Sequence, residues 1–272
     1  MFFRPESIKP TLFSDLQKVR ALIELGVRFI ILQKFDEQFS SLTPEDFYSR
    51  VIRDRFRANY IAVGQDFCFG KARSGRAGWL KSRASQEKIT VHIGEDVYYE
   101  NHRISSTQIR DSLQNLGDVE IAAKLLGRPY MLEGVIEKGD QLGRTWGFPT
   151  ANLGRLEQLI PLDGVYAGWV WLGETDGANS PPIMSLPKDR LPAVFSVGTR
   201  PSLNLVNPPL RVEAHLLQGT YGGDRLYGLK AGYYLTHRIR ANMKFENFES
   251  LKTQIRLDAE VARNLLSISP TN

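Results

Sequence analysis

The chain has 272 residues, 42% of them hydrophobic and 24% charged, with a net charge of +5 and a pI near 9.3. That is ordinary for a globular protein and long enough for two domains. No apolar run approaches the ~18 residues of a membrane helix, and no apolar core follows the charge in Met1-Phe-Phe-Arg-Pro-Glu6, so neither a membrane span nor a secretory signal is expected. A single cysteine, Cys68, excludes an internal disulfide and fits a reducing cytoplasm; within Asp66-Phe-Cys-Phe-Gly70 it reads as a half-buried structural thiol rather than a nucleophile. Lys and Arg are scattered rather than blocked, which suits polyphosphate substrates, with nucleic acid as the minority reading.

The first ~116 residues alternate helix and strand. Leu16, Val19, Leu22 and Ile23 share one helical face, and Gly26 stands in the place of a C-terminal cap. Phe29–Leu32 is expected as a short strand. Thr43 and Pro44 begin a helix whose buried stripe is Phe47, Val51, Ile52 and Phe56. Tyr60–Val63 and Ile89–Ile93 are further strands, separated by a basic glycine-rich loop and a helix near Trp79. This order predicts a parallel sheet covered on both faces. Asp118–Leu126, capped by Gly127, is a junction helix. From ~131 onward short β-type runs dominate: 131–136, 165–172, 193–197, 211–217 and 232–236, broken by turns such as Asn207-Pro208-Pro209 and followed by a helix bearing Phe248, Leu251, Ile255, Val261 and Leu265. That texture predicts an antiparallel barrel or sandwich. The expected domains are 1–123 and 124–272.

The stretch Lys138–Asn152 carries the most chemistry. Gly139, Gly143 and Gly147 recur every four residues, and Pro149 keeps Phe148 out of the helical region, so Thr150 follows in extended chain. Thr150 and Asn152 then point the same way and are able to hold a magnesium ion with the phosphates it carries. A hairpin with a glycine-rich turn explains the same spacing, and no Gly-Lys-Ser/Thr follows the glycines as in the usual phosphate loop. In Val212-Glu-Ala-His215, Glu213 and His215 share one strand face, where an acid is able to take a proton from an alcohol; an exposed edge glutamate is the plain alternative.

Taken together, Gly143-Arg-Thr-Trp-Gly-Phe-Pro-Thr-Ala-Asn152, Gly164-Val-Tyr166, Gly198-Thr-Arg-Pro201, Val212-Glu213 and Arg240-Ala-Asn-Met-Lys-Phe245 closely resemble riboflavin kinase, over residues 124–268. The resemblance implies a six-stranded antiparallel barrel that moves the γ-phosphate of ATP to a ribityl hydroxyl of riboflavin, with flavin as substrate and product. It further implies that Thr150 and Asn152 hold Mg2+ and phosphate oxygens, that Glu213 is the general base, that Gly139, Gly143, Arg144, Gly147 and Pro149 close over the nucleotide, and that Asn152 and Arg240 lie near the flavin. Ser196 and Ser202 stand where this family commonly has Asn and Thr, and both retain hydrogen-bonding ability.

Asn101-His-Arg-Ile-Ser-Ser-Thr-Gln-Ile-Arg110 and Val63–Gly70 resemble the FMN adenylyltransferase module of the bacterial bifunctional enzyme, a Rossmann-like nucleotidyltransferase. Ser105, Ser106 and Thr107 offer donors at a helix start and Arg110 a phosphate charge, although Ser-Ser-Thr is equally a plain cap. The family's His-x-Gly-His is absent, and none of His92, His102, His215 and His237 has another two or three residues away. The α/β half is therefore expected to be truncated, because the chain starts at an internal methionine or because that half is a remnant. Kinase activity is expected and adenylyl transfer is not. The alternatives are the full bifunctional enzyme or a flavin-binding barrel without catalysis.

Overall fold

The computed structural model describes residues 10–139, 150–154, 156–173, 179–198, 211–218 and 226–268. They fold as two compact units, one from Phe29–Ile104 and one from Pro10–Arg28 with the described residues from Ser105 onward. Helix α1 (Asp15–Glu24) belongs to the second. Ser14 caps it with a capping box, its hydroxyl accepting from the Gln17 N–H at 3.2 Å, and Gly26 follows at φ +88°, the left-handed position a glycine tolerates.

In the first unit, Asp36 caps α2 (Glu37–Ser40) and Thr43 caps α3 (Pro44–Asp46), which runs on as a π-helix over Phe47–Arg55. Strand β1 (Tyr60–Gly64) is followed by a hairpin of β2 (Cys68–Phe69) and β3 (Gly75–Arg76), then α4 (Ala77–Ser85). Strand β4 (Thr90–Gly94) pairs parallel to β1, and β5 (Tyr98–Tyr99) with β6 (His102–Arg103) ends the unit. Tyr48, Ile52, Phe69, Leu80 and Ala84 form its core beneath Ile61, Val63 and Val91.

Two expectations fail here. Phe29–Leu32 forms no ladder; Phe29 and Leu32 are 89% and 76% exposed, because no described strand lies beside them and β-type side chains alone do not hold an extended chain. Among the described residues the parallel sheet is covered on one face only: Tyr60, Ala62, Thr90 and His92 are exposed. Phe47, Ile52, Phe56, Ile61, Phe67 and Leu80 line an apolar cleft of about 300 Å³ that opens to solvent. The described residues of this unit bury few side chains, a pattern of low local stability.

The second unit continues with α5 (Ser106–Asp111), a π-helical turn over Ser112–Leu116, and α6 (Val119–Leu126). The last is the expected junction helix, begun by Asp118 and ended by Gly127 at φ +71°, and it folds with the barrel. Six strands close the antiparallel barrel: β7 (Tyr130–Glu137), β8 (Thr150–Leu153), β9 (Gly164–Leu172), β10 (Leu191–Gly198), β11 (Arg211–Leu216) and β12 (Lys230–Arg240), in the order β10-β11-β8-β7-β12-β9. Their inward side chains, among them Tyr130, Leu132, Tyr166, Val170, Phe195 and Tyr233, are fully buried.

Helix α7 (Phe248–Leu265) lies on the outside of this barrel, against Ala167, Val194 and Ile239. Leu251 and Ile255 turn inward as expected. Phe248, Val261 and Leu265 do not: they are 40%, 41% and 40% exposed, and the buried face continues through Asp258, Ala259, Ala262 and Leu266. Alanines let the helix approach closely, and Asp258 is tied to the barrel by charge. Helix α1 covers another outer patch, with its polar side inward. Gln17 is 1% exposed, Arg20 grips the Glu133 carboxylate with both of its terminal nitrogens, and Glu24 accepts the Ile183 and Met184 N–H groups at 2.9 Å each. The predicted apolar face is the outer one, with Leu16 and Ile23 60% and 57% exposed. Charged groups can be buried only with partners, and β7 supplies them.

We expect hydrogen–deuterium exchange by mass spectrometry to show amides of β1 and β4 exchanging at least ~100-fold faster than those of β7, β9 and β12. Equal protection in both units is the contrary result.

Candidate active site

The site is built from a row of cross-strand neighbours. Asn152 on β8 pairs with Glu213 on β11, Glu213 with Ser196 on β10, Ser196 with Val165 on β9, and Val165 with Arg240 on β12. Directly opposed residues share a face. One step along, Thr150, His215, Val194 and Ala167 form a second row on the same face. Since α7 packs on Val194 and Ala167, this face is the outside of the barrel. The sequence placed Glu213 and His215 together and Thr150 and Asn152 together. The ladder sets the two pairs side by side, Thr150 against His215 and Asn152 against Glu213.

Glu213 is 8% exposed although it points outward. Beside it, the Oδ1 of Asn152 is buried and accepts no hydrogen bond from the described residues. A buried carbonyl left unpaired is costly, and such an atom in a folded protein asks for a donor or a cation. The Asn152 amide is also tightly held. A Cβ on Gly139 would lie 2.2 Å from its nitrogen, so only glycine lets the end of β7 pass. Oxygens from an amide and a neighbouring hydroxyl, Thr150, are the hard ligands that magnesium prefers, so the residues present fit that ion.

A second cluster holds the far end of β10. Gly198 has φ +140°, and a Cβ there would meet the Asn242 amide at 2.5 Å and the Asp163 carboxyl at 2.8 Å. Asn242 donates to the Val197 carbonyl at 2.9 Å, and Arg238 to the Asp163 carbonyl at 3.1 Å. The Tyr166 hydroxyl donates to the Leu162 carbonyl, and burial raises its pKa above the ordinary tyrosine value. This is the point from which the Gly198-Thr-Arg-Pro segment departs.

Arg240 has a partner. Its Nε and Nη2 form two parallel bonds to Asp258 at 2.9 and 2.7 Å, and Asp258, whose side chain is 5% exposed, also accepts from Gln254 at 2.9 Å. The pair joins the last strand to α7. Ser105 accepts the Gln108 N–H at 3.2 Å, which is helix capping, while Ser106 and Thr107 are exposed in the first turn. Arg110 donates to the carbonyls of Pro10 and Ser106 at 3.1 and 3.2 Å. Gly143, Arg144, Gly147 and Pro149, like Ser202, lie outside the described residues. Cys68 is half-buried, and hydrogen bonding from Arg73 lowers its thiol pKa, with Arg76 2.8 Å from the sulfur.

Sequence reasoning passed over Tyr233, Asp258 and Asn242. Asn242 lay inside a quoted motif and Tyr233 in a β-type run. Asp258 had only its place among small residues, Ala259 and Ala262, as a signal.

Gly139→Ala is expected to displace the Asn152 amide and to lower kcat/KM for the phosphoryl transfer that the sequence resemblance implies about 10- to 100-fold, the cost of a misplacement near 1 Å. Steady-state kinetics checks this; an unchanged value would show that the amide position is not critical.

Comparisons with known proteins identify the family. A family model described as riboflavin kinase matches residues 126–266, and one described as FAD synthetase matches residues 1–108. The bifunctional riboflavin kinase/FMN adenylyltransferase of Escherichia coli K12 is 33% identical over 253 residues, covering 93% of this chain and 75% of that protein. Its counterpart in Haemophilus influenzae is 31% identical, covering 96% and 79%. A crystal structure from Streptococcus pneumoniae, titled a macrolide-efflux protein, matches with a TM-score of 0.77 and 31% identity over 93% of this chain and 75% of that one. Among the described residues no helix is long and apolar enough to cross a membrane. By its two matched modules and its relatives, the chain belongs to the bifunctional riboflavin kinase/FMN adenylyltransferase family.

Proposed function

We propose that the barrel phosphorylates riboflavin at its terminal ribityl hydroxyl, converting ATP and riboflavin into ADP and FMN, with the outer face of β8 and β11 as the reacting surface. The observation that supports this most is the unpaired, buried Asn152 oxygen next to the buried Glu213 carboxylate. Glu213 accepts the proton of the ribityl hydroxyl as its oxygen attacks the γ-phosphorus, and the bond to the β-phosphate oxygen breaks. Thr150 and Asn152 hold Mg2+ on the phosphates. Magnesium, when bound with ATP, offsets charge on the phosphate oxygens. Gly139, Gly143, Arg144, Gly147 and Pro149 form the cover of the nucleotide, and Asn152 borders both nucleotide and flavin. Arg240 sits at the end of the same row, and its pairing with Asp258 favours a role in placing α7 beside the flavin rather than in direct charge contact. Little covalent chemistry is asked of the protein, so one base, an oxygen-lined ion site and exclusion of water suffice.

For the α/β module, proposed to span residues 1–123 with the kinase in 124–272, Ser105, Ser106, Thr107 and Arg110 are read as the nucleotide-binding set. This sequence carries no His-x-Gly-His to stabilise charge on an α-phosphate. We therefore assign the chain kinase activity in its barrel, with the full bifunctional enzyme as the alternative reading. Riboflavin and ATP are its small-molecule partners, its basic surface suits polyphosphates rather than nucleic acid, and a lone thiol suits the cytoplasm.

With riboflavin, ATP and magnesium, chromatography is expected to show FMN accumulating, and Glu213→Gln is expected to lower kcat by ~100-fold or more at similar riboflavin affinity. FMN formation unaffected by that change would discard Glu213 as the base. Offered FMN and ATP, the 272-residue chain is expected to give no FAD; FAD in the product would favour the bifunctional alternative.

A further inference from the structure

The site depends on a strand that is poorly supported on one side. Strand β8 pairs with β11 over four residues, Thr150 to Leu153, but with β7 only at Asn152 and Leu153. Its first half therefore lacks ladder support on the β7 side among the described residues. A side chain inside the barrel takes up part of that role. Tyr233, on β12 and fully buried, reaches past β7 and donates its hydroxyl to the Ala151 carbonyl at 2.9 Å. Its ring is held by Phe195, the two centroids 5.2 Å apart.

Ala151 lies between Thr150 and Asn152 and faces inward while they face outward. Its carbonyl belongs to the peptide plane that leads into the Asn152 Cα. Restraining that plane from within the barrel restrains how Asn152 presents its oxygen on the other side, beside Thr150. We propose that Tyr233 is a positioning residue for phosphoryl transfer, holding the Ala151–Asn152 peptide of β8 so that the Asn152 oxygen, beside Thr150, meets the metal–nucleotide complex. This rests on the kinase reading of the outer face. Burial first, and the nearby Glu213 carboxylate second, raise the Tyr233 phenol pKa far above its ordinary value, so it remains a hydrogen-bond donor at every working pH.

Tyr233→Phe tests this, because it keeps the ring and its packing on Phe195 and removes only the hydroxyl. Per folded molecule, kcat/KM for magnesium-ATP is expected to fall at least ~10-fold, with the KM for riboflavin changed less than ~2-fold. The thermal shift produced by magnesium-ADP, which needs no turnover, is expected to shrink in parallel. Replacing Tyr233 by 4-aminophenylalanine, which restores a donor at the same place, is expected to bring kcat/KM back to within ~3-fold of the parent. If all kinetic constants of folded Tyr233→Phe match the parent, or if the amino analogue is as impaired as Tyr233→Phe, the positioning role is wrong and the tyrosine serves stability alone. If the unaltered protein makes no FMN, the kinase reading itself fails; if it makes FMN and Tyr233→Phe is unimpaired, only this inference does.

Discussion

Barrel closure constrains everything else in the second unit. When β12 pairs with both β7 and β9, no strand edge is left over, and each residue of the six strands must point either into a narrow interior or out of it. The interior is filled by Tyr130, Tyr166, Phe195 and Tyr233 with aliphatic residues between them, so it has no room for a substrate. Under the kinase reading proposed above, the reacting surface is the outside, on the rows that carry Thr150, Asn152 and Glu213. The packed interior then acts as the rigid backing for that surface, since a close-packed core transmits a displacement instead of absorbing it.

Polar contacts, more than apolar ones, decide what covers the barrel. Helix α1 is attached through Gln17, Arg20 and Glu24, and α7 through Asp258 as well as its alanines. Removing one partner of a partly buried pair such as Arg20 with Glu133 is destabilising, because the survivor is left charged and poorly solvated. Such contacts have defined geometry, so they fix the register of each helix on the strands in a way that a greasy face does not. The first unit has little of this. Its ion pairs, such as Arg83 with Glu45 and Glu87, set a partly covered arginine against more exposed carboxylates and contribute little each.

Most of the barrel was legible. Five of its strands were expected from β-type runs bounded by turns, and the sixth, Thr150–Leu153, was seen only as extended chain after Pro149. The pairing of Asn152 with Glu213 was not legible, since sequence gives the alternation within each strand but not which strands lie side by side. Capping was read correctly at Thr43 and Gly127, where the signal is local. Helix faces were read less well. Leu16 and Ile23 look like a core stripe, yet Gln17 and Arg20 pack inward because their partners on β7 are more than a hundred residues away in sequence. Phe29–Leu32 failed for a related reason: a strand needs a neighbour, and its own residues do not say whether one is there. Tyr233 gave no sign of its contact with Ala151, which spans 82 positions.

The order of strands around the barrel also has a consequence for how the protein is made. Chains emerge from the ribosome amino end first, and domains fold as units when their last essential element appears. Here the first barrel strand, β7, must wait for the last, β12, before its free edge is covered, and the Arg240 at the end of β12 must wait for Asp258 on the helix beyond. Until then β7 and β9 both present bare edges to the cell. The kinase module is thus obliged to fold late and nearly all at once, and a nascent chain stalled before Asp258 would hold a barrel whose final arginine has nothing to grip.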